Sequence, residues 1–476
     1  MLLLTVYNQW YRVLICPNPR TKRRLLYIMG VMKVLIIYTN FYRMLPPAPL
    51  GASLVASRLR RDGHEVRLLD LMFSKRPSGD AARAAQQFKP DLIGYSLRNV
   101  DSQSYTQYYD PSNDLIEVVT AVRANWPATT LLGGTAFTTF PAQYLEVLQA
   151  DFGIAGDDLD PISHFIDSLA AGRPDHSTPG LVYRDVNEVR CNPFQIRGYA
   201  DIIFDGWDLI DYQPYRRTFS NLWDAAVVTR SGCPFDCIFC DTFKTFGKRW
   251  VLRDPRQVAE ELLTVRRRHG IRSVFLADAG FNRPLDHAKA VLEAIIRAKP
   301  GVGLTAVFEP GEVDAEFARL YKRAGGRGMM IFAMSLSEPI LAAYRRPFHL
   351  SDVMEAADLL HRVGVSNFLF LTFGGPGETS GTVEETLSRI PQTRSIYTIF
   401  DHGFRIQPET ALHEIALAEG AIPPGHSCFK AVFYHSRETP PAMLDARLKR
   451  YQAEHRWDSL RGLIPLAHMI WDKLRP

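Results

Sequence analysis

Long apolar runs are missing from this 476-residue chain. None reaches the roughly 18 residues that suggest a membrane-spanning helix, which argues against insertion. Long runs of one charge are missing too: 56 basic residues are scattered among 51 acidic ones, for a net charge of +5. The basic runs Lys22–Arg24 and Arg266–Arg268 are short and read as solvated helix faces, so charge argues against a nucleic-acid partner. No internal repeat or low-complexity segment appears, and 46% hydrophobic content suits two or three well-buried domains of a soluble globular enzyme. The opening MLLLTVYNQWYRVLIC holds Arg12 within its apolar stretch and has no positive leader, so it makes a poor secretory signal. Residues 1–31 read as an N-terminal extension, because a clean strand begins at Met32. Cysteine is scarce, with six in all, and Cys16, Cys191 and Cys428 are too dispersed for a disulfide framework.

The other three are crowded together. Cys233, Cys237 and Cys240 lie within SGCPFDCIFCDT, close enough for three thiolates to share one loop. Such a group points to a metal or an iron-sulfur cluster, since sulfur donors converge and a disulfide would leave one over. Structural zinc wants four protein ligands, and neither Asp236 nor Asp241 is a convincing fourth. A cubane held by three cysteines, with one iron open to a small molecule, fits better, and a reactive loop without metal is the remaining alternative. Ala225–Thr229 reads as a short buried strand, and Asp254-Pro255 as an N-cap followed by proline at the first helical position. The triplet therefore occupies a strand-to-helix loop, the face on which parallel barrels build their sites.

With the CxxxCxxC spacing and the aromatic Phe239 before the third cysteine, the sequence resembles the radical S-adenosylmethionine enzymes. The resemblance implies that the three thiolates hold a 4Fe-4S cluster. It also implies that the open iron binds the amino and carboxylate groups of S-adenosylmethionine, and that one-electron reduction yields a 5'-deoxyadenosyl radical. Such a cluster suits a reducing cytoplasm.

From Met32 to about Gly156, strands KVLIIY, EVRLLD, DLIGYS, TTLLGG and ADFGIA alternate with helical stretches. Leu50, Leu54, Val55 and Leu59 recur at helical spacing, and Gly63 ends that helix. The pattern predicts a doubly wound, flavodoxin-like α/β domain over 32–165, with its ligand beyond the carboxyl ends of the strands. The loops there carry Asn40–Arg43, Pro49–Gly51, Ser96–Asn99, Gly133–Phe137 and Gly156-Asp157. Gly133 and Gly134 would let backbone approach a flat or phosphate-bearing ligand, although glycine after a strand is often only a turn. Joined to a CxxxCxxC barrel, this domain resembles that of the cobalamin-dependent radical S-adenosylmethionine enzymes, methyltransferase-like, over most of residues 32–395.

That resemblance implies cobalamin near Pro49, Gly51, Ser96, Arg98, Asn99, Gly133, Gly134, Thr135, Phe137 and Gly156. The DxHxxG motif that supplies histidine to cobalt in many cobalamin proteins is absent here, and His64 falls on the wrong edge of the sheet, so cobalamin without a protein histidine is expected. Arg98 is a candidate for the lower face of the cobalt, or equally for a phosphate contact or salt bridge.

Residues 166–224 read as an aromatic connector with a hairpin, GLVYRDVNEVR. Over 225–395, strands SVFLAD, LTAVFEP, MMIFAMS and NFLFLTFGG alternate with helices, as in a partial (β/α)6 barrel. By resemblance, Asp278 and Gly280 meet the methionine amino end, and Glu309 and Ser335 the methionine or ribose hydroxyls, with caps or turns as their ordinary alternatives. Gly374, Gly375 and Glu378, in GGPGET, resemble the glycine-rich adenine and methionine loop, and the lysine of a phosphate loop is missing. Arg345–Pro347 reads as a solvated helix end in preference to a rim of the site. Residues 396–476 form a small α-rich cap on the substrate side, where His402, His426, His435, Tyr397, Tyr434 and Cys428 are candidates more often explained by packing.

The family resemblance implies methylation of an unactivated carbon of a small molecule or biosynthetic intermediate, with methylcobalamin as donor and the 5'-deoxyadenosyl radical abstracting hydrogen. It implies an external electron donor such as a flavodoxin or ferredoxin. Cyclisation, ring contraction or rearrangement with the same cofactors, or a sensing role without turnover, are the alternatives. No catalytic residue is named by the sequence.

Overall fold

The computed structural model describes residues 30–43, 46–186, 188–200, 202–218 and 222–455. Most of the extension expected over 1–31, and the tail after residue 455, lie outside the described residues.

Strand β1 (Lys33–Tyr38) is apolar on both faces and buried along its length after Lys33, as a strand covered on both sides must be. Around it stand β2 (Glu65–Asp70), β3 (Leu92–Ser96), β4 (Thr129–Gly133) and β5 (Phe152–Ile154), all parallel, in the order β2-β1-β3-β4-β5. The helix Leu50–Arg61 covers one face with Ala52, Leu54, Ala56 and Leu59. The chain reverses its direction of winding between β1 and β3, so a crevice opens at the carboxyl ends of those two strands. His64 lies at the opposite edge, where its Nδ1 accepts from Met32 N at 3.3 Å and its Nε2 stands 3.2 Å from Asp167.

The connector expected over 166–224 is not one unit. Helix Leu159–Ala170 runs through its start, and the hairpin β6 (Leu181–Asp185) and β7 (Glu188–Cys191) adds two antiparallel strands to the first sheet, beside β5. Only the stretch that follows is a strap. It buries Trp207, Tyr212 and Tyr215, and Tyr215 donates to Asp70 at 2.5 Å.

The second sheet begins at β8 (Ala225–Val227). A short antiparallel pair, β9 (Arg230–Ser231) and β10 (Val251–Leu252), brackets the cysteine loop. Then come β11 (Ser273–Leu276), β12 (Gly303–Phe308), β13 (Gly326–Met334), β14 (Ser366–Phe373) and β15 (Tyr397–His402). All six major strands are parallel and ordered β8-β11-β12-β13-β14-β15, a partial barrel left open between its first and last strands. The sixth strand lies past the boundary expected at 395. It is an edge strand in which Thr398, Asp401 and His402 interrupt the apolar pattern that marked the other five.

The cap pairs β16 (Phe404–Arg405) with β17 (Phe433–Tyr434). It also fastens the two sheets together. Arg405 Nε donates to Asp101, in the loop after β3, at 2.9 Å, with both side chains no more than 3% exposed. Thr106 donates through its N and Oγ1 to Asp401 at 3.2 and 3.0 Å, and the Tyr105 ring rests on His402 and His435.

Breaking a buried ion pair from one side strands a charge, at about 3–5 kcal/mol. Arg405→Met is therefore expected to lower unfolding stability by that order in a urea titration, and the double variant Asp101→Leu with Arg405→Met to recover part of the loss.

Candidate active site

The carboxyl ends of the two sheets meet across one cavity of about 650 Å3. From the first sheet it is lined by Gly51, Ser96, Arg98, Asn99, Gly133, Gly134, Thr135 and Gly156, and from the barrel side by Arg230, Gly232, Asp241, Asp278 and Ala279. Gly134 has φ +100°, and a Cβ there would stand 2.4 Å from Leu97 O, so only glycine lets the β4 turn lie against the β3 loop. That contact is fastened by Ala136 N donating to Leu97 O at 3.1 Å and by Thr135 Oγ1 donating to Arg98 O. Arg98 is exposed and donates to Asn99 Oδ1 at 3.0 Å.

The cavity also runs down between the sheet and the helices Leu50–Arg61 and Leu159–Ala170, a slot lined by Val34, Ile36, Leu54, Val55, Ile162 and Ile166. The sequence pattern placed Val34 and Ile36 in a strand and Leu54 and Val55 on a helix, and assigned none of the six to a site. The available signal was Gly94, a glycine in mid-strand, where a Cβ would meet only Ile36 at 3.7 Å.

Two of the expected contacts fall elsewhere. Phe137 is wholly buried, its ring occupying the space over Gly153, where a Cβ would stand 2.0 Å from Phe137 Cζ. Pro49 opens the helix Leu50–Arg61 and its carbonyl accepts from Ser53 N at 2.9 Å. Neither lines the cavity.

On the barrel side, Asp278 is fully buried and shapes the chain as it leaves β8. It accepts from Thr229 N at 2.8 Å, Arg230 N at 3.2 Å and Thr229 Oγ1 at 2.5 Å. Burial raises its carboxyl pKa, and the Arg230 charge opposes that rise. The Arg230 guanidinium in turn donates to the carbonyls of Gly232, Ala279 and Gly280 at 2.5, 2.7 and 2.5 Å. Asp278 thus holds the frame of the loop, and no signal in the sequence marked Arg230 as its partner.

The cysteine loop is then fixed from several directions. Cys233 N donates to Gly247 O at 3.0 Å, Ile238 N to Tyr344 O at 3.2 Å, and Cys240 N to Cys237 O at 3.1 Å. Gly232 (φ +80°) must be glycine, since a Cβ would stand 1.9 Å from Arg249 O. Thr242 Oγ1 lies 2.9 Å from Cys240 Sγ. Arg346 Nη1 donates to Cys237 Sγ at 3.0 Å, so the Arg345–Pro347 run is not the solvated helix end that its sequence suggested. Phe239 packs against Phe404 and Tyr344 at 5.1 and 6.1 Å.

Burial pushes the Cys237 thiol up to about 11, against the pull of Arg346, and raises Cys233 and Cys240 as well. The thiols of this loop are therefore held neutral, and a metal or cluster bound there would displace their protons. No group of three or more His, Cys, Asp or Glu among the described residues is placed to hold a single metal ion. Thiolates on one zinc would converge around bonds of about 2.3 Å. Cubane ligands stand further apart, because each binds a different iron, and the three-sulfur donor set in this loop fits a cluster of that kind.

Gly280 (φ +86°) lets Glu309 lie close, since a Cβ would stand 2.7 Å from Glu309 Cγ. Glu309 is held by paired bonds with Asn282: Nδ2 donates to Glu309 O at 2.7 Å, and Glu309 N to Asn282 Oδ1 at 2.9 Å. Burial raises the Glu309 pKa, opposed first by Arg346 and then by Arg283 and Arg230. Ser335 does not reach the cavity: it is buried, 3.0 Å from Thr386 Oγ1, and accepts from Ser337 N. Gly374 and Gly375 form a closed loop in which Gly374 N donates to the Glu378 carboxylate and Gly375 N to Tyr344 Oη at 3.1 Å. Glu378 thus faces its own backbone. Of the cap candidates, His402 and His435 lie 3.0 Å apart under Tyr105, Tyr434 donates to Glu419 at 2.7 Å, and Cys428 is buried beside His426. Tyr397 stands half-exposed on the edge strand.

The radical SAM superfamily model matches residues 227–390, and the B12 binding domain model residues 45–166. The chain thus joins a B12 binding domain to a radical SAM domain, the pairing of a cobalamin-dependent radical S-adenosylmethionine enzyme. Its cofactors are accordingly a 4Fe-4S cluster, S-adenosylmethionine and cobalamin. An uncharacterized methyltransferase of Pyrococcus horikoshii is 24% identical over 413 residues, covering 83% of this chain and 85% of the relative. The tryptophan 2-C-methyltransferase of Streptomyces laurentii is 23% identical over 79% of this chain and 72% of its own length. The structure of the radical S-adenosylmethionine methyltransferase TsrM from Kitasatospora setae, with cobalamin and a 4Fe-4S cluster bound, shares the fold with a TM-score of 0.78 at 20% identity, covering 93% of this chain and 98% of that one. No helix among the described residues is long and apolar enough to cross a membrane.

The enclosed Glu378 makes stability depend on pH. Burial lifts its carboxyl from 4.5 to about 7, so the folded state keeps a proton that the unfolded chain gives up. The contribution of Glu378 to stability is fully present below the ordinary carboxyl range and is lost as pH rises through that window, on the order of 3 kcal/mol. Glu378→Gln is expected to flatten this slope between pH 4.5 and 7 when urea midpoints of the two proteins are compared.

Proposed function

We propose that this enzyme transfers a methyl group to an unactivated carbon of a small molecule or biosynthetic intermediate. The observation that carries the reading is the single cavity shared by the glycine turns of the first sheet and the cluster side of the barrel. A substrate between them can face both cofactors without leaving, which is the proximity such chemistry needs. Cys233, Cys237 and Cys240 hold the cluster, with Phe239 packed behind the third ligand. Gly51, Ser96, Arg98, Asn99, Gly133, Gly134, Thr135 and Gly156 form the cobalamin side, and the apolar slot behind Gly94 accepts the cofactor's nucleotide tail. Gly280, Glu309 and the Gly374–Glu378 loop are the S-adenosylmethionine side. When bound, S-adenosylmethionine and the cluster supply hydrogen abstraction, and cobalamin supplies the methyl group.

The protein's own residues position and shield. Asp278 and Arg230 fix the loop that carries the ligands. Trp223, Phe275 and Val307 line the barrel side with apolar surface, and Trp223 and Phe275 stack at 4.4 Å. Such an apolar wall limits the access of water to the space between the two sheets. The reducing electron comes from an external carrier such as a flavodoxin or ferredoxin, in the reducing cytoplasm that the cluster requires.

Anaerobically reconstituted protein is expected to bind four irons and one cobalamin, and to give 5'-deoxyadenosine together with a product one methyl heavier by mass spectrometry. Product of unchanged mass would replace methylation by rearrangement, and zinc without cobalamin would sink the whole reading. Cys237→Ala is expected to abolish 5'-deoxyadenosine while leaving cobalamin absorbance in place, because the two sites stand on different sheets. Joint loss of both would show that they are one folding unit.

A further inference from the structure

We propose that Arg346 tunes the reduction potential of the cluster through its hydrogen bond to Cys237 Sγ. The inference rests on the assignment of the three cysteines as cluster ligands. It begins with backbone geometry. Helix Glu338–Ala343 ends in a left-handed residue, Arg345 (φ +53°), and Arg346 N then donates back to Leu341 O at 2.9 Å. The turn sends the Arg345 side chain to solvent and the Arg346 side chain inward.

The inward arginine is held through its two terminal nitrogens. Its Nη1 lies 3.0 Å from Cys237 Sγ, and its Nη2 donates to Phe332 O, at the end of the barrel strand β13, at 2.8 Å. The guanidinium lies 4.7 Å from the Phe348 ring centroid and 5.9 Å from that of Phe239. Nη2 also donates to the Glu309 carboxylate at 3.5 Å, a single long contact and not a forked pair, so this ion pair offsets the cation only in part. A side chain only 5% exposed therefore presents a fixed positive charge and a hydrogen-bond donor to one ligand sulfur.

Hydrogen bonds and positive charge at a ligating sulfur stabilise the reduced cluster, which carries one more electron, and so raise its potential. The external carrier gives that single electron, and no bond in the protein is made or broken. Arginine suits the task because its planar fork serves the sulfur and the Phe332 carbonyl together, which a lysine ammonium cannot do in the same geometry.

The test is an EPR-monitored redox titration of anaerobically reconstituted wild type, Arg346→Lys and Arg346→Gln, without S-adenosylmethionine, at matched iron content. The midpoint of Arg346→Gln is expected to move to more negative potential, and that of Arg346→Lys to move the same way by less. A fully loaded Arg346→Gln protein with the wild-type midpoint would overturn the proposal. Should that variant fail to assemble a cluster, Arg346→Lys decides, and a midpoint equal to wild type overturns it. Absence of iron from the wild type would instead refute the cluster assignment, so the two failures remain distinct.

Discussion

Everything functional in this protein depends on two parallel sheets presenting their carboxyl ends to the same space. Parallel strands place all their strand-to-helix loops on one side, so each sheet alone yields a rim and no enclosure. The enclosure arises where the loop after β3 meets the strand pair after β15. Asp101 and Arg405 are both withdrawn from water, and Arg405 also donates to Ile406 O at 2.6 Å and to Phe429 O at 3.3 Å. A buried pair with its remaining donors satisfied is not a large source of stability, but it tolerates only one arrangement of its partners. Here that arrangement is the approach of the two rims, with Thr106 and Asp401 repeating it one step along the same edge.

Inside the barrel the same logic operates on a smaller scale. Asp278 and Arg230 are buried, and nearly every bond they make runs to backbone groups of the loops they shape. The cysteine loop is therefore held by the protein's own hydrogen bonds. The electrostatic setting follows from the same residues. Arg230, Arg283 and Arg346 all act on Glu309, and Arg230 and Arg346 act on the cysteines as well. A cluster held by three thiolates brings negative charge into a site that already holds positive charge in reserve, which reduces the desolvation cost of burying it.

Much of the architecture is legible in the sequence because it depends on local pattern. Five apolar strands with helical stretches between them can hardly be anything but a covered parallel sheet, and three cysteines in eight residues declare a soft-donor site. What escapes is set by partners distant in sequence. β15 is an edge strand, and its Asp401 and His402 are polar because they face Thr106 of the first domain and Asp445 of the helix Pro441–Glu454. The hairpin over 181–191 reads correctly as a hairpin, yet nothing local says which sheet edge it extends. Phe137, in the short helix Thr135–Thr139 after β4, and Ser335, in the loop after β13, both stand at the right strand ends, and only the turn of the backbone decides whether such a side chain lines a cavity or fills a core. Arg346 is the sharpest case. Its neighbour Arg345 has the same chemistry, and a single left-handed residue separates solvent from the cluster loop.

The two rims meet opposite physical demands. The first sheet must leave room, and it does so with Gly94, while Gly134 lets the β4 turn close against the β3 loop; both glycines cost conformational entropy on folding. The barrel must hold atoms still, and it does so with buried charges and hydrogen bonds that cost desolvation. Neither investment makes sense for a domain working alone: an open glycine crevice beside a sheet would shield nothing, and a rigid cysteine loop at the mouth of an open barrel would stand in water. The apolar wall at Trp223 and Phe275 belongs to the barrel, yet the cavity it lines is closed by residues of the first sheet. The space between the rims is thus a property of the pair, bounded on one side by the first sheet and on the other by the barrel.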